Sequence, residues 1–190
     1  MGDVRIQPYD PAYARETMAF VLATQRAAYG FRTGPADLPD LVDVQGVYRR
    51  PGGAFWLAVR VGDAPDAAGD DHVETPVRAG AGHAGASRAA VVGTIGIQRV
   101  TEDGGVLRRF YVDEALRGRH VGSRLFAALA AFCDEAGITR VVLDTPVVAT
   151  RAHEFYRRHG FRVITPAELP FPYAYHDRPS LIFLRETPRG

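Results

Sequence analysis

The sequence predicts a mixed α/β domain: a mostly antiparallel sheet with a central βαβ unit and helices on both faces. Three observations predict it. Short apolar runs at hairpin spacing occupy the first half, a strand then passes through a glycine-containing turn into an amphipathic helix, and a second strand–helix–strand passage follows. The full order is β-α-α-β-insert-β-β-α-β-α-β-β, with no internal repeat. The 190 residues suit one compact domain over 4–190, and 46% apolar residues supply a substantial core.

Val4-Arg5-Ile6-Gln7 alternates and meets Pro8, the mark of a short strand. Apolar residues at helical spacing from Pro11 to about Ala28 predict a first helix, and Leu38, Leu41, Val42 and Val47 predict a second over about Ala36 to Tyr48. Pro39 fits only a first turn. Phe55 to Val61 is a strand. The stretch 62–89 lacks apolar periodicity and is rich in Gly, Ala and Asp, so it is expected to be a flexible insertion between two hairpin strands. Ala90 to Ile97 resumes the sheet, Asp103-Gly104 signals a hairpin, and Val106 to Val112 runs back. Val121, Leu125, Leu129 and Phe132 place one apolar face on a helix ending at Gly137. Arg140 to Asp144 reads as a buried strand, Thr150 to His159 as a helix, and Phe161–Ile164 and Leu181–Leu184 as the last strands.

Composition removes several chemistries. All 23 basic residues are arginine, so a Schiff-base lysine and a P-loop lysine are excluded. Net charge is +1 with arginine spread among acids, which argues against nucleic acid as a partner. Cys133 stands alone, so no intrachain disulfide or cysteine metal cluster forms, and it is expected to be a buried hydrophobe. The six histidines show no metal-ligand spacing, and no metal is expected. No apolar run has the length of a membrane span, and a cytoplasmic location without membrane attachment is expected.

The segment that carries chemistry is Leu107 to Leu125. A strand leads into Arg117-Gly118-Arg119-His120-Val121-Gly122-Ser123, and that turn opens a helix. Unpaired amides at a helix start and the aligned peptide dipoles make an anion site suited to a pyrophosphate. The turn is neither a Walker loop nor a dinucleotide fingerprint.

Arg117-Gly118-Arg119-His120-Val121-Gly122 resembles the Gln/Arg-x-x-Gly-x-Gly/Ala cofactor motif of the GCN5-related N-acetyltransferases. Ala152-His153-Glu154-Phe155-Tyr156-Arg157-Arg158-His159-Gly160-Phe161 is similar to a second block of that family, and the preceding Phe110-Tyr111-Val112-Asp113 also looks like it. The resemblance covers about Val91 to Ile164. Two positions depart: His120 replaces the first motif glycine, and Ala149 stands where many members carry asparagine.

What the resemblance implies is direct transfer of an acetyl group from acetyl-CoA to a primary amine on a small molecule or peptide. It implies cofactor contacts at Phe110, Tyr111, Val112, Arg117, Gly118, Arg119, His120, Val121, Gly122 and Ser123. It further implies a general acid, Tyr156, donating its phenol proton to the leaving sulfur, and acceptor contacts from Tyr29, Phe31 and Tyr173. A homodimer is allowed, and the alternative is an acyl-CoA-binding sensor with weak turnover. Presenting a lysine-like amine neutral at pH 7 costs about 4.6 kcal/mol, against about 1.4 for an α-amine. Glu102, Asp113 and Asp144 lie near strand ends, and none is singled out as the base.

Overall fold

The computed structural model describes residues 3–60, 90–173 and 179–188. The expected insertion at 62–89, with His72 and His83, lies outside them, as do Tyr175, His176 and Asp177 of the proline-rich loop. Seven strands form one sheet: β1 (Val4–Pro8), β2 (Ala54–Arg60), β3 (Ala90–Arg99), β4 (Gly104–Val112), β5 (Arg140–Pro146), β6 (Arg162–Ile164) and β7 (Ser180–Glu186). Their spatial order is β1-β2-β3-β4-β5-β7-β6. Every neighbour pairs antiparallel except β4 with β5. That single parallel pair requires a crossover, and helix α3 (Val121–Ala136) supplies it. The mostly antiparallel sheet with a central βαβ unit is therefore present as the sequence predicts.

Side chains of β2 show how the sheet makes two cores. Phe55, Leu57 and Val59 join one cluster, with Val21 of α1 (Ala14–Tyr29) and Leu41 of α2 (Pro39–Val42). Trp56 and Ala58 point the other way, to Leu125 and Leu129 of α3 and Tyr156 of α4 (Thr150–Arg158). The period of two sends alternate residues to opposite faces. On α3, Val121, Leu125, Leu129 and Cys133 are buried at intervals of four. Burial pushes the Cys133 thiol up to about 12, which fits its expected role as an inert hydrophobe. Among the described residues, no helix is long and apolar enough to cross a membrane.

The expected second helix over 36–48 is broken into three pieces. A 3₁₀ turn covers Pro35–Asp37, α2 covers only Pro39–Val42, and a π-helical turn covers Gln45–Arg49. Proline starts each of the first two pieces. Asp43 then leaves the helical region at φ −129°, and its carboxylate accepts the Gly46 amide at 2.7 Å. A side chain competing for backbone donors ends a helix in this way.

The broken segment places Asp40 and Tyr48 under the sheet, where they meet Arg109 of β4. Arg109 donates from Nε and Nη2 to the two Asp40 oxygens at 2.8 and 2.7 Å, and the Tyr48 hydroxyl donates to Asp40 at 2.7 Å. Both ionic side chains are close to 90% withdrawn from water. Burial works to raise the Asp40 pKa, but the hydrogen bonds and charge of Arg109 outweigh it and hold the carboxyl below its ordinary value. Removing one partner strands a buried charge. Asp40→Ala should therefore cost about 3–5 kcal/mol in urea unfolding. The carboxylate's contribution is present above the unfolded value of about 3.9 and is lost as pH falls through the lower folded value. Asp40→Asn should flatten the pH dependence of stability below about pH 4.

Candidate active site

β4 and β5 pair only from Gly104–Val106 against Arg140–Val142. Beyond Val106 the strands part. Opposite the gap, the β3–β4 register slips between Thr94↔Tyr111 and Gly96↔Arg108, so β4 carries a bulge. Arg109 sits in the bulge at φ +53°, an uncommon conformation for a residue with a Cβ. The Asp40 ion pair holds its side chain, and the Thr94 hydroxyl donates to its carbonyl at 2.6 Å.

An inner cleft fills the space between the parted strands. Arg108 to Tyr111 of β4 form one wall, and Leu143 to Pro146 of β5 form the other. Tyr29 and Phe31 close one side as a stacked pair at 5.3 Å, and Tyr156 and Tyr173 close the rest. Gln25, Val21 and Thr17 of α1 are buried at intervals of four, which aims Gln25 at the sheet. There Gln25 Nε2 donates to the Tyr111 hydroxyl at 3.1 Å and Gln25 Oε1 accepts from Thr33 at 2.9 Å. The Tyr173 hydroxyl donates to Asp144.

An outer cavity adjoins the cleft and shares Phe110, Ala152 and Tyr156 with it. Its floor is the start of α3. His120 is the N-cap residue at φ +58° and makes no side-chain cap. The Arg119 amide donates back to the Leu116 carbonyl at 3.2 Å and the Arg124 amide to the His120 carbonyl at 2.9 Å, so the amides of 121–123 between them start the helix without a helical acceptor. A left-handed residue at this point is where the family motif has glycine, and His120 adopts that conformation despite its Cβ. At Gly122 an added Cβ would come no closer than 3.6 Å to Phe110, so packing of the protein itself leaves room there.

Tyr156 lies at the junction. It is 6% exposed and ringed by Phe110, Phe155, Phe161 and Phe183 at 5.5–6.3 Å between centroids. Burial pushes its phenol well above the ordinary tyrosine value, and Tyr29, Tyr111 and Asp144 act in the same direction. The phenol is therefore a neutral hydrogen-bond donor throughout the physiological range.

Most residues expected at the site converge. Phe110, Val112, Arg117, Gly118, His120, Val121, Gly122 and Ser123 line the outer cavity, and Tyr29, Phe31 and Tyr173 line the inner cleft. Arg119 lines neither, and the Tyr111 side chain enters the inner cleft rather than the outer cavity. The three carboxylates separate cleanly. Asp113 accepts the Ala115 amide, Glu102 sits at the β3–β4 hairpin, and Asp144 alone enters the cleft. Arg151 and Arg158, missed in the sequence, line the outer cavity beside the turn. They lie seven residues apart on α4, a helical spacing that repeats a face. Gln25, Arg108 and Arg109 were also missed, although two adjacent arginines inside an apolar strand are a visible anomaly.

The sequence matches the Acetyltransferase (GNAT) family over residues 47–161. No curated protein matches it significantly. Among solved structures, it is similar to an acetyltransferase of the GNAT family from Staphylococcus aureus Mu50, at 26% identity and TM-score 0.76, covering 97% of this chain and 99% of that one. An acetyltransferase from Streptococcus agalactiae 2603 is 25% identical with TM-score 0.77, covering 97% and 98%. The PaiA N-acetyltransferase of Thermoplasma acidophilum, solved in complex with coenzyme A, shares the fold at 12% identity and TM-score 0.63, covering 97% and 99%. The chain belongs to the GNAT acetyltransferase family.

Proposed function

We propose that this protein transfers the acetyl group of acetyl-CoA directly to a primary amine of a small molecule or peptide. The observation that carries the reading is the meeting of the two cavities at Tyr156: an outward-facing helix start on one side, a cleft between parted strands on the other. The amides of 120–123 hold the pyrophosphate, with Arg117, Arg151 and Arg158 adding charge. The pantetheine arm occupies the gap where β4 has lost its partner, since backbone groups beyond Val106 face no strand there. Its thioester then lies between the β4 backbone at Phe110 to Val112 and the Tyr156 hydroxyl. That a related fold has been solved with coenzyme A supports the same donor here.

In the reaction the ammonium first releases one proton to solvent. The neutral nitrogen attacks the thioester carbonyl, the C–N bond forms and the C–S bond breaks. A backbone amide of Phe110 to Val112 stabilises the oxyanion. The sulfur leaves against the Tyr156 hydroxyl, and the second amine proton completes the free thiol. Full proton transfer from an ordinary phenol to a thiolate of pKa ~8.5 is uphill by about 2 kcal/mol, and burial of Tyr156 widens that gap. Tyr156 therefore acts by donating a hydrogen bond to the developing thiolate.

Tyr156→Phe should lower kcat about 10- to 100-fold in a thiol-release assay, with coenzyme A affinity by calorimetry retained. Unchanged turnover would refute the role. Gly122→Val should weaken coenzyme A binding with the fold retained, because an added Cβ meets Phe110 and Val112 only at ordinary contact distance while the branched side chain stands at the start of α3 where the pyrophosphate is held. His120→Gly relaxes a left-handed backbone and should raise stability by up to about 1 kcal/mol, with coenzyme A affinity kept or improved. A large loss of affinity would show that the imidazole itself holds phosphate.

A further inference from the structure

The inner cleft carries a cation and a carboxylate on the same tyrosine. Arg108 lines the cleft from β4, one residue before the bulge. Its Nε donates to Gln98 Oε1 at 3.1 Å, and its guanidinium lies 5.9 Å from the centroid of the Tyr173 ring. The Tyr173 hydroxyl meanwhile donates to Asp144. Tyr173 thus holds the guanidinium by its face and the carboxylate by its hydroxyl, and both charges line one cavity.

The neighbouring charges differ in how they are spent. Arg109 is neutralised by Asp40. Arg108 has no ion pair among the described residues, and with Nε fixed by Gln98 its two terminal nitrogens keep a planar fork for an oxyanion. Two more arginines, Arg26 and Arg32, line a depression beside Tyr29 and Phe31, again without an ion pair among the described residues. The whole chain carries only +1, so the positive charge of Arg108 in the cleft, and of Arg26 and Arg32 in the separate depression, is local. On the β5 wall, across the cleft from Arg108 on β4, Asp144 is the one carboxylate lining the cleft among the described residues.

We propose that the acceptor is a primary amine that also bears an oxyanion, a carboxylate or a phosphate: Arg108 receives the oxyanion while Asp144 draws the amine toward Tyr156. This rests on the acetyl-transfer reading above. A plain alkylamine leaves Arg108 unmatched, and a diamine brings a second cation against it. An oxyanion-bearing amine satisfies both ends.

Four amines of matched chain length test this with acetyl-CoA and the full chain: an alkylamine, an amino carboxylate, an aminoalkyl phosphate and a diamine. At least one oxyanion-bearing amine should exceed the alkylamine and the diamine in kcat/KM by about 10- to 100-fold, mainly through KM, with the advantage falling as salt rises. Whichever of the carboxylate and phosphate arms is faster identifies the source of the oxyanion. Arg108→Gln should erase the preference, Arg108→Lys should keep part of it, and Arg108→Glu should turn it toward the diamine. Retained coenzyme A binding reports that each variant is folded. An alkylamine or diamine used as well as both oxyanion amines overturns this inference alone, as does a preference that survives Arg108→Gln. Absence of thiol release with all four amines overturns the transfer reading and this inference with it.

Discussion

The ion pair between Arg109 and Asp40 joins residues 69 positions apart and fixes the shape of β4 where that shape matters. Arg109 adopts a positive φ that a residue with a Cβ takes only when its surroundings hold it. Asp40 grips its guanidinium with two hydrogen bonds, Tyr48 satisfies the same carboxylate, and Thr94 holds the carbonyl. The bulge so fixed sends Arg108 into the inner cleft, and Phe110 into the wall that cleft shares with the outer cavity. On the far side β5 is no longer paired, and the gap becomes the cleft.

The two cavities differ in the charge they suit. The outer one is built from the start of α3 and three arginine side chains, an environment for a polyanion. The inner one is walled by aromatic rings and holds opposed charges, an environment for a small molecule with two ends. Tyr156 belongs to both and is the only titratable residue common to their linings among the described residues. Its burial among rings raises the pKa of the phenol and so favours the neutral form at the junction. On the proposed reading, specificity and chemistry rest on different residues: Arg108, Asp144 and Tyr173 at the inner cleft, and the turn with Tyr156 at the outer cavity.

Features written in contiguous residues were legible in the sequence. The turn 117–123, the face of α3 and the Phe155-Tyr156 block each depend on local period or motif, and each lies where its pattern places it. The antiparallel hairpins and the βαβ unit follow from strand spacing for the same reason. The helix expected over 36–48 failed because apolar spacing cannot register the Asp43 side chain competing for the Gly46 amide. Asp40, Arg109 and Gln25 were missed because their partners lie 8 to 86 residues away. The side of the sheet that Tyr111 faces depended on the bulge, which shifts the alternation of β4 by one residue. His120 is the instructive case. Its departure from the family motif was visible, but only the backbone shows that the motif's glycine answers a left-handed turn.

On the proposed reading, the junction of the two cavities is an acyl-CoA site. A crystal structure of the protein with coenzyme A tests it most directly. Pyrophosphate oxygens should lie about 2.7–3.2 Å from the amides of 120–123, the pantetheine arm between β4 and β5, and the sulfur beside the Tyr156 hydroxyl. Coenzyme A bound away from the turn, or an arm lying outside the gap between the strands, would contradict it.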